Sequence, residues 1–391
     1  MKLIQGDCLE VMKALPDNSV DACVTDPPYG LKFMGKKWDY DVPTVEQWKE
    51  VYRVMKPGAF LLSFGGTRTY HRMVVNIEDA GFEIRDQIQW LYGSGFPKSL
   101  DVGKAIDKMK GVEREVVGNI RAGFGNRNGK TDAEGSVFMN SLPESLKHIP
   151  VTTPATPKAI QWDGWGTALK PANEPICLAR KPIEGTVAAN VLKWGTGGLN
   201  IDGCRVGTEE NCGRPQGTMP HPMDWGNRSQ KNGIFTTKGN SQGRFPANVI
   251  HSGEDEVVGL FPDTKSGAMH GVYKNTMMKG QPGIRDGKEV LLHQEASEGS
   301  AARFFYVAKA SKAERGEGNN HVTVKPLKLM CYLCRLVTPP GGTVLDCYVG
   351  SGTTGVAAQI EGFEFIGIDK DIDIATRRIE NTDPLFQAVR L

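Results

Sequence analysis

The sequence predicts an α/β fold in which a mostly parallel sheet is assembled from the two ends of the chain. Residues 1–97 and 321–391 alternate short apolar runs with amphipathic stretches, which is typical of strands that alternate with helices. Between them, residues 98–320 are rich in glycine, asparagine, serine, threonine and proline and show weak periodicity. This middle part is predicted to be a large insertion. One segment of it, Glu174–Lys181, has the apolar pattern of a further strand.

The first part of the chain predicts a strand-and-helix alternation. In Val20–Thr25, apolar residues alternate with polar ones, and Lys56-Pro57-Gly58 is a sequence that ends a helix. The predicted strands are Lys2–Gln5, Val20–Thr25, Ala59–Phe64 and Ile84–Leu91, and the predicted helices are Leu9–Leu15 and Trp48–Met55.

The last part of the chain repeats this style. An apolar helix is closed by Thr338-Pro339-Pro340-Gly341-Gly342, and a strand, a glycine loop and a helix follow. The predicted helices are Pro326–Val337, Thr353–Glu361 and Asp371–Glu380, and the predicted strands are Thr343–Asp346 and Phe363–Asp369.

The segment Val344–Thr354 (VLDCYVGSGTT) has the order of a nucleotide-cofactor site. Glycines let the backbone approach a ligand, and the helix that follows offers free N–H groups. Asp369 comes about twenty residues later, where a carboxylate can accept hydrogen bonds from ribose hydroxyls. No lysine follows the glycines and the third glycine of the dinucleotide spacing is missing. A cofactor without a pyrophosphate, such as S-adenosylmethionine, is therefore favoured.

A second motif, Asp26-Pro27-Pro28-Tyr29-Gly30, follows directly on a predicted strand. The prolines fix the backbone and remove two N–H donors, which holds Asp26 and nearby carbonyls at the end of the sheet. A carboxylate and a carbonyl can accept the hydrogens of a ring amine and stabilise the positive charge that develops on its nitrogen. Tyr29 offers an aromatic face for a base swung out of its duplex. The motif predicts methyl transfer to such an amine.

These two motifs resemble those of the DNA amino-methyltransferases with D-P-P-Y, and their order is that of the permuted group called beta. The resemblance implies a Rossmann-like class I S-adenosylmethionine-dependent methyltransferase fold of seven strands, with residues 98–320 as an inserted target-recognition region between the catalytic half, 1–97, and the cofactor half, 321–391. Segments of the insertion resemble phage and prophage members of the family. They are Trp162–Gly166, Leu169–Ala172, Gly197–Asp202 and Gly243–Asn248.

The resemblance also assigns residues. Gly6-Asp7-Cys8 resembles the acidic loop that reaches the cofactor's adenine amine, and His321–Pro326 resembles the H-P-T-x-K-P segment at the methionine end. Val322 and Cys347-Tyr348 depart from the usual residues but keep their bulk. The implied catalytic residues are Asp26, Pro27, Pro28 and Tyr29. The implied cofactor-binding residues are Asp7, Cys8, Asp26, His321, Thr323, Lys325, Asp346, Tyr348, Gly350, Ser351, Gly352, Thr353, Thr354 and Asp369.

The charge distribution indicates where DNA is bound. The formal net charge is only +2, but residues 98–320 hold 29 lysines and arginines against 24 aspartates and glutamates. Residues 211–253, here called the basic segment, carry five basic residues and a single acidic one among many glycines and amides. Such a segment can contact phosphates. The DNA-binding residues it predicts are Arg214, Arg228, Lys231, Lys238 and Arg244.

Other features limit the alternatives. No signal peptide begins the chain and no apolar run approaches the roughly 20 residues needed to cross a bilayer, so a cytoplasmic protein without a membrane partner is expected. The eight scattered cysteines do not suggest a disulfide framework, and Cys331-x-x-Cys334 is interpreted as buried core inside an apolar helix. The proposed chemistry needs no metal.

The main expectation is N6 methylation of adenine in double-stranded DNA. N4 methylation of cytosine is the first alternative, although that group tends to carry serine before Pro-Pro. RNA methylation and a non-catalytic DNA-binding subunit are the others, and the intact motifs argue against the last. Dimers are common in this group. The sequence contains no nuclease motif, which leaves open a separate cognate nuclease.

Overall fold

The computed structural model describes residues 1–31, 41–93, 95, 99–121, 148–207, 243–266, 269–274, 289–294, 297–308 and 324–382. The chain divides into two compact units. One consists of Met1–Gly93 and Asn173–Leu391, and the other of Ser94–Ala172. Within the described part of the chain, no helix is both long enough and apolar enough to span a membrane.

The secondary structure is numbered in chain order. The strands are Lys2–Gln5 (β1), Val20–Thr25 (β2), Met55–Phe64 (β3), Glu83–Leu91 (β4), Val116–Arg121 (β5), His148–Thr152 (β6), Asn173–Arg180 (β7), Val249–His251 (β8), Asp263–Ser266 (β9), Met269–Lys274 (β10), Glu289–Gln294 (β11), Ser297–Ser300 (β12), Tyr306–Val307 (β13), Thr343–Asp346 (β14) and Glu364–Asp369 (β15). The helices are Cys8–Lys13 (α1), Val45–Val54 (α2), Tyr70–Asp79 (α3), Val102–Met109 (α4), Pro157–Gln161 (α5), Val187–Trp194 (α6), Asp255–Val258 (α7), Leu327–Val337 (α8), Thr353–Ile360 (α9) and Asp373–Glu380 (α10).

The main sheet of the first unit has the strand order β1-β15-β14-β2-β3-β7-β4-β8-β13. Its described strands run parallel except β7, which is antiparallel to both β3 and β4. The predicted Rossmann-like α/β fold is confirmed. The resemblance implied seven strands, whereas the described sheet has nine. The short strands β8 and β13, both from the middle of the chain, extend it beyond β4.

Helices cover both faces of the sheet. Successive side chains of a strand point to opposite sides, so neighbouring residues of one strand lie in different cores. Ala22 and Val24 of β2 lie in a core with the apolar helix α8 and with α9. Cys23, between them, lies in the core on the other face, with Trp48 of α2 and Met73 of α3. All six residues of β2 are therefore buried, and the strand can carry a functional residue only at its end.

In the second unit, α4 and α5 pack together and β5 pairs with β6 in an antiparallel hairpin. Its fully buried Asp107 accepts hydrogen bonds from the N–H groups of Ala155 and Thr156 and from the Thr156 hydroxyl. These bonds, with the ion pair to Arg114 at 3.0 Å, hold the carboxyl pKa below its ordinary value although burial opposes this. A buried charge thus joins the start of α5 to α4.

Candidate active site

Three acidic residues follow or end neighbouring strands at one edge of the sheet. Asp26 follows β2, Asp346 ends β14 and Asp369 ends β15. Because the carboxyl ends of parallel strands meet at the same edge, this is where α/β proteins bind ligands. A cleft of about 340 Å³, including its open mouth, lies here. Its lining residues are Asp26, Lys325, Met330, Asp346, Tyr348, Val349, Gly350, Ser351, Thr353 and Thr354.

The glycine loop between β14 and α9 depends on conformations that other residues rarely adopt. Gly350 and Gly352 have φ of 48° and 79°. A Cβ at Gly352 would lie 2.8 Å from the Cα of Ala375 in α10. Gly352 precedes α9 and makes no side-chain capping bond, so the first N–H groups of α9 are available to a ligand.

Arg378 of α10 binds the glycine loop through hydrogen bonds to Ser351 and Thr353. Its guanidinium donates to the backbone oxygen and the hydroxyl of Ser351, at 2.6 and 2.9 Å, and to the hydroxyl of Thr353 at 2.9 Å. These bonds fix two predicted cofactor residues. Arg378 could not be predicted from the sequence, because it lies well after the glycines in an ordinary amphipathic helix.

Asp346 joins the glycine loop to the end of β2. Its carboxylate accepts the hydroxyls of Thr25 and Thr354, both at 2.6 Å, and the N–H of Tyr348 at 3.1 Å. Burial raises the pKa of Asp346 to about 6, and these three bonds oppose the rise. Thr25 immediately precedes Asp26, so the position of the D-P-P-Y motif depends on a residue 321 positions later in the chain.

Asp369 and Asp7 lie on the other side of the glycine loop. The Asp369 carboxylate accepts the N–H of Gly350 at 2.8 Å, and its backbone oxygen accepts the N–H of Gly6 at 2.8 Å. Asp7 is the N-cap of α1 and accepts the N–H of Leu9 at 3.1 Å. The structure therefore brings the two acidic residues together around the turn into α1.

Cys8 and Tyr348 connect that turn to the cleft. Burial, with the neighbouring Cys347, raises the pKa of the Cys8 thiol to about 11, while a hydrogen bond with Tyr348 opposes the rise. Burial also raises the pKa of Tyr348 well above its ordinary value. Both groups are therefore neutral at neutral pH. The aromatic side chain of Tyr348, with its hydroxyl, lines the cleft.

Asp26 lies in a cluster of four ionisable side chains. Its Oδ1 accepts the Tyr29 hydroxyl at 2.7 Å, and its Oδ2 lies 2.9 Å from Nζ of Lys325. The same Nζ lies 2.9 Å from Oε2 of Glu174 and donates to the Tyr29 hydroxyl at 3.1 Å. Burial disfavours the charge on Lys325, but Asp26 and Glu174 outweigh it and raise the lysine's pKa above its ordinary value. Lys325 is therefore charged at neutral pH.

The backbone around Tyr29 is also fixed. The hydroxyl of Thr69 donates to the Tyr29 carbonyl at 2.5 Å. A Cβ at Gly66 would lie 3.1 Å from the Tyr29 ring, so the loop after β3 packs closely against that ring. Burial, followed by the charges of Asp26 and Glu174, raises the pKa of Tyr29 well above its ordinary value. Its hydroxyl therefore remains a donor.

Glu174 and Tyr92 were not predicted from the sequence. Glu174 lies at the start of β7 and pairs in register with Trp90 of β4. Burial and the charge of Glu174 raise the pKa of Tyr92 to about 12, so the tyrosine lies within electrostatic reach of the cluster. The only local signal was that Glu174 begins a predicted strand.

Several predicted residues lie outside the described residues. They are His321, Thr323, Arg214, Arg228, Lys231 and Lys238. Arg244 is described: its guanidinium lies 4.6 Å from the centroid of the Phe304 ring and donates to the Arg303 carbonyl at 3.3 Å. The fully buried Cys331 and Cys334 lie in α8, as the apolar pattern predicted.

A comparison with known families identifies the family of this chain. The family model described as DNA methylase, which covers N6 and N4 enzymes, matches residues 20–110 and 229–379, more than half of the chain. The chain belongs to this DNA methylase family. The matched parts include Asp26, Lys325 and Asp346, which line the cleft.

Individual relatives match shorter parts. The chain is 35% identical over 89 residues to YubD of Escherichia coli (strain K12), covering 21% of this chain and 39% of that protein. It is 42% identical over 82 residues to the type II methyltransferase M.BglI of Bacillus subtilis, covering 18% of this chain and 24% of that protein. The chain therefore spans less than half the length of these curated relatives.

Two solved structures align with nearly the whole chain. The cytosine-N4-specific PvuII DNA methyltransferase has a TM-score of 0.44 and 13% identity, covering 97% of this chain and 86% of that one. The complex of M1.HpyAVI with SAM has a TM-score of 0.39 and 15% identity, covering 96% and 98%.

Proposed function

We propose that this DNA methylase transfers a methyl group from S-adenosylmethionine to N6 of adenine in double-stranded DNA. The observation that carries the proposal is that Asp26, from the D-P-P-Y motif, lines the same cleft as the glycine loop. A base amine held by Asp26 would therefore lie beside a ligand held by that loop.

The cleft fits this cofactor in charge. The charged residues of its described lining are Asp26, Asp346 and Lys325, and the lysine is neutralised by carboxylates. This acidic character suits a positively charged sulfonium better than a phosphate. S-adenosylmethionine would supply an electrophilic methyl group on sulfur.

We assign the cofactor's contacts to three parts of the site. Asp369 would accept bonds from the ribose, and Asp7, with Cys8, would face the adenine. Tyr348 would pack on the cofactor beside the glycine loop. The segment that includes Lys325 would approach the methionine end. Asp346 would act on the loop through Thr354, because its carboxylate oxygens accept hydroxyls of the protein.

Asp26 would act on the target amine. A carboxylate has about four lone-pair positions, and the Tyr29 hydroxyl and Lys325 each occupy one of them. The remaining positions can accept an amine hydrogen while the two anchors prevent rotation. Since Pro27 and Pro28 lack N–H groups, they do not compete for the same carboxylate. The negative charge then stabilises the positive charge that develops on nitrogen.

The finer features of this proposal come from the sequence. Aspartate before Pro-Pro favours adenine over the N4 position of cytosine. The basic segment favours a DNA partner, chiefly through phosphate contacts. We propose a cytoplasmic enzyme; a homodimer and a separate cognate nuclease are compatible with the resemblance.

The test is incubation of the full chain with methyl-labelled S-adenosylmethionine and double-stranded DNA, followed by mass spectrometry of the nucleosides. N6-methyladenine is expected. N4-methylcytosine, or the absence of label from the DNA, would contradict the proposed target. Asp26→Ala should abolish transfer and leave cofactor binding nearly intact; near-normal turnover in this variant would refute the role of Asp26.

A further inference from the structure

Lys325 lies between two carboxylates, and its positive charge opposes the negative charge of both. Its Nζ is 2.9 Å from Oδ2 of Asp26 and 2.9 Å from Oε2 of Glu174. The lysine side chain is 9% exposed, against 22% and 21% for the two acids. The charges therefore interact in a partly desolvated setting, where Coulomb energies exceed those in water.

Asp26 and Lys325 taken alone would form a neutral pair. A positive charge developing on a nearby amine would be attracted by the aspartate and repelled by the lysine at nearly the same distance. With Glu174 included, the three groups carry a net charge of −1. The second carboxylate thus restores the negative potential that the lysine would otherwise cancel.

The fold gives Glu174 a fixed position. It is the second residue of β7, the strand that runs antiparallel between β3 and β4. Because β7 is reversed, its first residues lie at the edge where the parallel strands end. The Pro175 carbonyl accepts the N–H of Gly65 at 3.0 Å, which anchors this end of β7 to the loop that packs on Tyr29.

We propose that Glu174 is a positioning residue of the methyl-transfer site, which compensates the charge of Lys325 so that the charge of Asp26 remains available to the target amine. Lys325 in turn fixes the orientation of Asp26 and of the Tyr29 hydroxyl. This inference rests on the proposed function. It differs from a purely structural ion pair, in which Glu174 would only anchor the lysine.

The experiment uses the full chain and measures the single-turnover rate of methyl transfer to DNA at saturating labelled cofactor. The variants are E174Q, K325M and the double variant E174Q/K325M. A unit charge roughly 6–8 Å from a reacting atom at an effective dielectric constant near 20 changes a rate by about thirtyfold to a hundredfold. E174Q should therefore slow transfer by about this factor, with cofactor affinity in calorimetry unchanged.

The double variant separates compensation from structure. Removing both charges returns the cluster to −1, so E174Q/K325M should transfer faster than E174Q although it lacks one more side-chain contact. The matched control is E83Q, which breaks the ion pair of Glu83 with Arg180, 2.6 Å, at the opposite end of the same strand β7. E83Q should keep the wild-type rate.

Each outcome decides one question. A wild-type rate in E174Q overturns the inference. A double variant no faster than E174Q also overturns it, because structural losses accumulate whereas charge compensation reverses. Circular dichroism confirms that each variant is folded. If the wild-type chain transfers no methyl group to DNA, the proposed function fails, and this inference with it.

Discussion

Replacing Asp346 by asparagine tests whether the carboxylate that links the D-P-P-Y motif to the glycine loop is charged in the folded protein. Asp346 is 2% exposed and Thr25 is fully buried. Burial moves the pKa of Asp346 from 3.8 to about 6, which corresponds to about 3 kcal/mol. Asparagine keeps the shape without the charge, and threonine hydroxyls can accept as well as donate. The variant therefore removes the charge while a hydrogen-bonded contact can persist.

The sign of the effect follows from linkage. A carboxyl group whose pKa is raised in the folded protein favours folding most at pH values below its unfolded pKa, near 4. That contribution is lost as the pH rises through about 6, because the folded protein must then hold a desolvated charge. The free energy of unfolding of the wild type minus that of Asp346→Asn should therefore fall by about 3 kcal/mol between pH 4 and pH 7.

Urea unfolding at several pH values, followed by circular dichroism, measures this difference, and all other titrating groups cancel between the two proteins. A difference that stays constant or rises with pH would refute the reasoning. Thr25→Val gives an independent check. The Thr25 hydrogen bond lowers the pKa of Asp346, so its removal should move the pH dependence to higher pH.

Three further predictions concern the cofactor loop and the DNA surface. Asp369→Ala should weaken S-adenosylmethionine binding by roughly 1.5–3 kcal/mol in calorimetry; unchanged affinity would remove Asp369 from the site. Gly352→Ala should reduce stability in urea more than Gly362→Ala, because φ is +79° and +76° but only the first Cβ meets another atom within 4 Å; equal losses would contradict this. Neutralising three residues of the basic segment should weaken DNA binding and flatten its salt dependence by roughly one unit per phosphate contact, with cofactor affinity kept; an unchanged slope in the folded protein would place the DNA elsewhere. The residues changed to glutamine are Arg228, Lys231 and Lys238.

The strands that carry the cleft could be predicted from the sequence because their signals are local. In β2 and β14, short apolar runs lead directly into motif residues, and proline or glycine marks where each strand ends. The helix α3 was missed. Thr69, which precedes the helix, makes no side-chain capping bond. Met73 and Ile77 are the helix's only buried residues. Neither a start signal nor a broad apolar stripe was therefore present.

The place of Glu174 beside Tyr29 and Lys325 could not be predicted, because it depends on topology. Tyr29 lies 145 positions from Glu174 and 296 positions from Lys325 in the sequence. Only the insertion of the reversed strand β7 between β3 and β4 brings Glu174 to the carboxyl edge. No local pattern at Glu174 distinguishes this from a solvent-exposed strand end.

The same topology explains how the chain can hold a long middle part without disturbing the cleft. The chain leaves β4 and enters β7 at the carboxyl edge, since the two strands are antiparallel neighbours. It leaves β13 there as well, because β13 runs parallel to β8 and β8 to β4. Segments joined at that edge can vary in length while the register of β2 against β14 stays fixed. The bonds of Asp346 to Thr25 and Thr354 then keep the two motifs together, so those segments can change without moving the cleft.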